Sequence, residues 1–369
     1  MSIEVKTIHS DDISAWDAYV HTHPRATLYH LSGWKNVIEK TYGHNTCYLM
    51  AFKTAKSNPT NPLNPSNPIA GILPLVHLRH FLFGNSLISI PFFDTGGILA
   101  DDEETERKLL SRAKEQALGL GVERIELRQT HPLSSLNPTN PTNPITTATK
   151  SQKVRMLLPL PESSDILMKS FKSKLRSQIK RPLKEGLSSK IGGLELLDDF
   201  YRVFLVNMRD LGSPVHSKSL LRNVFEEFHE RVKIVMVYRD AQPMACSLVI
   251  GFKDILENPW ASSLRKYSLF SPNMLLYWVM LEYACKKGFK CFDFGRSSPG
   301  EGSCKFKEQW GAVPEPLHWS YISLHGKPTV DEAEPDNQKK FNKAIKYWQK
   351  LPVPVTKVIG PRIRKHIGL

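Results

Sequence analysis

Apolar positions along the chain fall into two alternating patterns. "CYLMAFK" and "IAGILPLVHL", which an insert separates, are short apolar runs of strand length, and "KIVMVYRDAQPMACSLVIGF" at 233–252 reads as strand, polar turn, strand. Each half of the chain therefore offers a hairpin. Downstream of each, "LLSRAKEQALGLGVERIELR" and "LLYWVMLEYACKKGFKCFDFGR" give a helix, a glycine and a strand ending near an acid. Glu126 lies five residues after Gly121, as Asp293 lies five after Gly288. A glycine just past a helix suits a left-handed cap. The echo predicts a tandem duplication of one α/β domain, divided as 1–155, 156–330 and a tail 331–369.

The second of these helices has sharp ends. Ser271 suits an N-cap, Pro272 the first helical position and Gly288 the stop, which predicts a helix from Pro272 to Lys287. Met274, Leu275, Leu276, Trp278, Val279 and Leu281 surround most of it, so it is expected between layers. With "KYSLF" as the strand before it and "KCFDF" as the strand after, it forms a βαβ unit. Ligands of open α/β sheets sit beyond the carboxyl ends of the strands, which puts Asp293 to Arg296 at a ligand-facing edge.

From Leu167 to Lys184, apolar residues Leu167, Phe171, Leu175, Ile179 and Leu183 recur every four positions, so one helix with a core-facing stripe is expected, kinked or ended by Pro182 near Ile179. Its other faces carry Lys172, Lys174, Arg176, Lys180, Arg181 and Lys184 against Glu185. Two readings stand: a solvated face, or an anion-binding surface for tRNA, lipid head groups or a nucleotide-linked precursor. "KSNPTNPLNPSNP" at 56–68 and "LNPTNPTNP" at 136–144 remove backbone donors repeatedly and read as expendable surface loops, with a partner-binding tract as the alternative. In the tail, "FNKAIKYWQKLP" sets Phe341, Ile345 and Trp348 on one face among lysines; it either docks on the second domain or lies on an anionic membrane face.

Composition narrows the picture only in part. The 369-residue chain carries a formal net charge of +14, which suits nucleic acid, an anionic membrane or a phosphorylated substrate equally. Its five cysteines form no CxxC pair and no metal-ligand spacing with histidine, so reduced thiols, no metal and a cytoplasmic setting are expected, with contact at the inner face of a membrane left open. The acidic start and the lack of an apolar span of ~20 residues argue against a signal peptide and a membrane crossing. A monomer is expected.

The densest chemistry lies in "FDFGRSSPGEGSCKFKEQWGA", Phe292 to Ala312. Asp293-Phe294-Gly295 spells a kinase tripeptide, but no glycine-rich loop, strand lysine or His-Arg-Asp loop precedes it, so a kinase is excluded. Together with "PNMLLYW", the basic "FKSKLRSQIKRP" and "SLISIPFFDTGGILA", this stretch resembles the FemAB-related proteins of exosortase/PEP-CTERM systems, members of the GNAT acyltransferase superfamily with a BioF2-like acetyltransferase domain. The resemblance implies an α/β (α+β) fold of two tandem GNAT-like domains, each a mixed twisted sheet flanked by helices. It also implies transfer of an acyl or aminoacyl group from acyl-CoA or aminoacyl-tRNA to an amine on a small molecule or envelope precursor.

FemAB transferases share the Phe306-Lys307 pair, with the lysine at the reacting centre, so the resemblance makes Lys307 catalytic, its ammonium steadying the developing oxyanion. Asp293 is expected to orient the amine and Arg296 to grip phosphate or carboxylate, or else the two form an ion pair that shapes the loop. Asn273, Tyr277 and Ser298 join Lys174, Arg176 and Arg181 among the candidate substrate contacts. The pyrophosphate loop of CoA users is missing where this chain has "SLFSPN", which counts against CoA. The rival reading is a catalytically silent GNAT-fold protein that binds polysaccharide precursors, membrane or RNA.

Overall fold

Strands whose central members, Asn45–Thr54, Ile69–His80, Val232–Arg239 and Gln242–Phe252, are buried along most of their length assemble into two mixed sheets, one in each of two units. The structure is a computed structural model that describes residues 2–54, 68–81, 83–136, 147–150, 152–324 and 335–368. The first unit comprises Met1–Gln152, Pro316–Glu332 and His366–Leu369, and the second Lys153–Glu315 and Ala333–Lys365. Apart from Pro68 and Leu136, the two Asn-Pro tracts lie outside the described residues.

In chain order the first unit contains β1 (Ser2–Thr7), α1 (Ile13–Thr22), α2 (Gly33–Tyr42), β2 (Asn45–Thr54), β3 (Ile69–His80), β4 (Gly84–Ile88), β5 (Leu99–Ala100), α3 (Glu103–Gly119), β6 (Arg124–Gln129) and β7 (Thr147–Lys150). The second contains β8 (Val154–Pro159), α4 (Ser164–Ser170), α5 (Ser173–Lys184), β9 (Leu187–Gly192), α6 (Leu197–Leu211), α7 (Lys218–Phe228), β10 (Val232–Arg239), β11 (Gln242–Phe252), β12 (Ile255–Ser263), α8 (Pro272–Lys286), β13 (Cys291–Ser297), α9 (Gly302–Glu308) and β14 (Val313–Pro316). Then come β15 (His318–Ser323), α10 (Pro335–Lys350) and α11 (Val353–Arg364).

The first sheet runs β1-β2-β3-β4-β6-β15-β7, with β5 on β3, and the second β14-β8-β13-β12-β11-β10-β9. Both expected hairpins form, as β2–β3 and β10–β11. The helix-glycine-strand echo is α3–β6 and α8–β13, with Gly121 and Gly288 at φ 63 and 79 in the left-handed region. Each of these strands runs parallel to one neighbour for three residue pairs: Ser86 to Ile88 beside Arg124 to Glu126, and Ile255 to Glu257 beside Cys291 to Asp293. Glu126 and Asp293 therefore occupy equivalent places.

Several elements differ from the sequence reading. "KYSLF" lies in a 3-10 helix, Arg265–Phe270, and the strand before α8 is β12. Pro259 interrupts β12, so the segment does not read as a strand. The basic stretch is two helices broken at Phe171–Lys172, and α5 runs through Pro182 to Lys184 because a proline in the last turn removes one bond without ending it. Leu167, Phe171, Leu175 and Ile179 are buried, whereas Leu183 is exposed. Ser271 does not cap α8 through its side chain; it sits at φ 52. The tail packs within the second unit, where Gly212, the left-handed cap of α6, leaves room for Ile345, and Arg209 Nη1 donates to Leu351 O at 3.1 Å.

One strand departs from the expected division. β15, placed by the sequence reading in 156–330, pairs antiparallel with β6 over six residues from His318–Gln129 to Ser323–Arg124. A chain ending at residue 152 leaves β6 unpaired on that side, with Ile125 and Leu127 beside an open edge. We predict that residues 1–152 alone show no cooperative thermal transition and aggregate, whereas adding 316–324 through a flexible linker restores one. A sharp transition from 1–152 alone would contradict the assignment.

Candidate active site

The site begins where two parallel strands part. β12 and β13 pair at Ile255–Cys291, Leu256–Phe292 and Glu257–Asp293. On β12, the register against β11 then shifts, with Ile250 opposite Glu257 and Leu248 opposite Trp260, so Asn258 and Pro259 together face Val249. Such a bulge bends a strand, and proline adds no N–H with which to pair. On β13, Gly295 sits at φ 75 and the register against β8 shifts between Asp293 and Arg296. Both strands therefore kink at one level, and the sheet forks.

Acids gather at the fork. The register sets Glu257 beside Asp293, and both are buried. Asp293 Oδ1 accepts from Gly295 N at 2.7 Å, which shapes the kink, while Oδ2 lies 3.9 Å from Arg155 Nη1. Arg155 Nε also donates to Glu315 Oε2 at 3.2 Å. Burial alone would ease the proton off the Arg155 guanidinium, but Asp293, Glu315 and Glu257 outweigh it and hold its pKa above the usual value. Behind the fork, Ser247 Oγ donates to Asn258 Oδ1 at 2.6 Å, and Asn258 also hydrogen-bonds Tyr277. The Tyr277 ring stacks on Phe294, with centroids 5.4 Å apart, and burial pushes its hydroxyl up to about 12 despite the bond from Asn258.

Lys307 approaches from α9. Its ammonium donates to Gly295 O at 2.9 Å and Arg296 O at 2.8 Å, and the residue is only 7% exposed. It therefore grips the kinked end of β13. The ammonium expected at the reacting centre is engaged with backbone, because the left-handed Gly295 turns a carbonyl toward α9.

The other candidates are spread out. Arg296 and Ser298 lie half-buried at and just past the end of β13, where Ser298 Oγ accepts from Lys153 Nζ at 2.5 Å. Asn273 is half-buried in the first turn of α8. Arg176 Nη1 donates to Lys169 O and Phe171 O at 3.3 and 3.2 Å, closing the end of α4, so this cation is engaged with backbone. Exposed Arg181 lies 4.0 Å from Glu185. Lys174 is exposed on a cleft of about 850 Å³ floored by Leu158, Phe171 and Trp310 and also lined by Lys172.

The sequence reading missed Glu257, Asn258 and Arg155. The one local signal was an acid directly before Asn-Pro in "ILENPW", a buried strand broken by proline. Arg155 carries no signal, since only the pairing of β8 with β13 brings it there. Among the described residues no cluster of histidine, cysteine and acids is arranged to hold a metal.

Replacing Lys307 by Met leaves two carbonyls without their ammonium partner. The expected cost is about 2–3 kcal/mol, seen as a melting temperature lowered by roughly 5–10 °C. Arg176→Gln is expected to cost about 1 kcal/mol, while Lys174→Gln and Arg181→Gln stay within ~0.5 kcal/mol. An unchanged melting temperature for Lys307→Met would contradict the clamp.

Residues 169–308 match the family model described as an acetyltransferase (GNAT) domain. Among solved structures, FemX is similar at 15% identity and TM-score 0.65, covering 93% of this chain and 100% of that one. The C-terminal domain of a putative lysylphosphatidylglycerol synthetase from Agrobacterium fabrum aligns at 12% identity and TM-score 0.54, over 85% and 92%. A tandem GNAT protein from the clavulanic acid biosynthesis pathway aligns at 12% and 0.52, over 89% and 100%. No curated protein matches by sequence. The chain thus has the fold of two GNAT domains in tandem, and residues 169–308 of its second unit match a GNAT acetyltransferase domain.

Proposed function

We propose that the second unit transfers an acyl or aminoacyl group from an activated donor to an amine, with Glu257 and Asp293 as the proton-handling pair at the fork. The observation that carries this reading is the contrast between equivalent forks. In the first unit, Ile88 stands where the second has Glu257, and Glu126 is bound by Arg128 at 2.7 Å with both side chains buried. In the second unit two acids meet at the fork, and Arg155 stands 3.9 Å from Asp293.

Transfer to an amine makes specific demands. The acceptor is an ammonium ion near neutrality and must lose a proton before its nitrogen can attack. One carboxylate takes that proton. The N–C bond then forms, the carbonyl oxygen carries negative charge until the C–O or C–S bond to the carrier breaks, and the nitrogen's second proton passes to the departing oxygen or sulfur. Lys307 is a positioning residue here: by holding the Gly295 and Arg296 carbonyls it fixes the strand end that carries Asp293 and Arg296.

Aminoacyl-tRNA is the favoured donor over acyl-CoA. The turn before α8 has a left-handed Ser271 followed by Pro272, which lacks an N–H, so it makes a poor cradle for a diphosphate. The FemAB resemblance points the same way. Lys172 and Lys174 beside an apolar cleft suit an acceptor with a phosphate and a greasy body, in keeping with a cell-envelope or exopolysaccharide precursor of the kind the exosortase/PEP-CTERM resemblance implies. A cytoplasmic monomer, in reach of an anionic membrane face, fits such substrates.

A catalytically silent binding protein is the second reading, favoured by the engagement of Lys307 with backbone. The test compares binding of aminoacyl-tRNA and acyl-CoA, then transfer to amines. The transferase reading expects turnover that falls roughly 100- to 10,000-fold in Glu257→Gln with melting preserved within a few degrees. Tight donor binding without turnover in wild type would support the silent reading. Full activity in folded Glu257→Gln and Asp293→Asn proteins would remove the acids from the chemistry.

A further inference from the structure

We propose that the first unit contains a binding site for an extended peptide segment, formed where β4 and β6 part, and that His366–Gly368 is its resident ligand. This inference does not depend on the transferase reading.

Chain entering the fork of the first unit is handled as a ligand. Phe92 N donates to Gly368 O at 2.5 Å, and Arg128 Nη1 reaches the same carbonyl at 3.4 Å. Arg128 is 1% exposed and is itself fixed from three sides: Nε donates to Glu126 Oε1 at 2.8 Å, Nη1 donates to Phe93 O at 2.5 Å, and the guanidinium lies over the Trp319 ring at 4.9 Å. A buried guanidinium so anchored is a preorganised donor.

The floor of the site is strained as well. Ile90 and Phe92 have φ of 54 and 79, conformations costly for branched and bulky side chains. That strain presents the Phe92 N–H to Gly368. At Gly368 a Cβ would stand 2.9 Å from Ile88 Cδ1 and 3.2 Å from Arg128 Nη2, so a bulky side chain there must displace both the Ile88 end and the Arg128 guanidinium. Two residues earlier, the His366 ring packs 4.3 Å from His80 and 6.0 Å from His44. An aromatic slot, a carbonyl-binding pair of donors and a position with little room for a side chain together describe recognition of a short extended peptide. An outside ligand for the site is then a peptide with an aromatic residue two places before glycine.

The test uses the chain ending at Lys365 and a fluorescein-labelled peptide of residues Arg364 to Leu369. The peptide is expected to bind the shortened protein and to bind the full chain about 10- to 100-fold more weakly, because the tethered segment competes at an effective concentration near millimolar. The same peptide with Gly368→Ile is expected not to bind. Should the shortened protein fail to fold, carboxypeptidase trimming of the full chain decides: the wild-type tail is expected to resist and the Gly368→Ile tail to be removed at least ~10-fold faster. No peptide binding to folded shortened protein, equal binding to both chains, or equal trimming of the two tails would overturn the proposal.

Discussion

Everything that can act in the second unit depends on two parallel strands that stop pairing after three residues. Backbone groups normally extend a ladder as far as they can, since an unpaired buried donor or acceptor is costly. Here that tendency is blocked on both sides: Pro259 has no N–H to offer, and Gly295 turns its strand away. The carbonyls released by the turn at Gly295 and Arg296 take the Lys307 ammonium. The kink is therefore stabilised rather than merely tolerated, and α8 packs its buried face, including Met274 and Leu276, beneath it.

The first unit shows the same constraint with an ion pair at its fork. Its strands β4 and β6 also pair for three residues and also end at an acid, Glu126. There Arg128 neutralises the acid, Ile88 replaces the second carboxylate, and the segment around Gly368 fills the space. One fork thus occurs twice with different linings: a single acid held by Arg128 in the first unit, and two acids beside Arg155 in the second. Glu257 and Asp293 are buried side by side, with the Arg155 guanidinium as their nearby cation.

Much of the fold was legible because its signals were local. Pro272 and Gly288 bracket α8, the polar turn after Tyr238 marks the β10–β11 hairpin, and the shared spacing of Glu126 and Asp293 exposed the duplication. What escaped was set by tertiary pairing. β12 was hidden by the proline that gives it its role, and β15 joins β6 only through long-range pairing. Asp293 was found because it follows a helix-stopping glycine by five residues, as Glu126 does. Glu257 and Arg155 were not, since one precedes a turn-like Asn-Pro and the other reaches the site from β8. The resemblance pointed the Lys307 ammonium at a reacting carbonyl; only the left-handed Gly295 reveals that a backbone carbonyl is its partner.

The central claim is that the reacting carbonyl lies at the fork of the second unit. Stable analogues of an aminoacyl-tRNA end and of an acyl-CoA, each carrying a photoreactive diazirine in the acyl group, can be irradiated on the intact protein and the labelled residues mapped by mass spectrometry. The account predicts labelling within 255–260 and 291–297 by the analogue that binds. Labelling confined to residues 86–98 and 124–129 of the first unit, or to the walls of the Lys174 cleft, would contradict it.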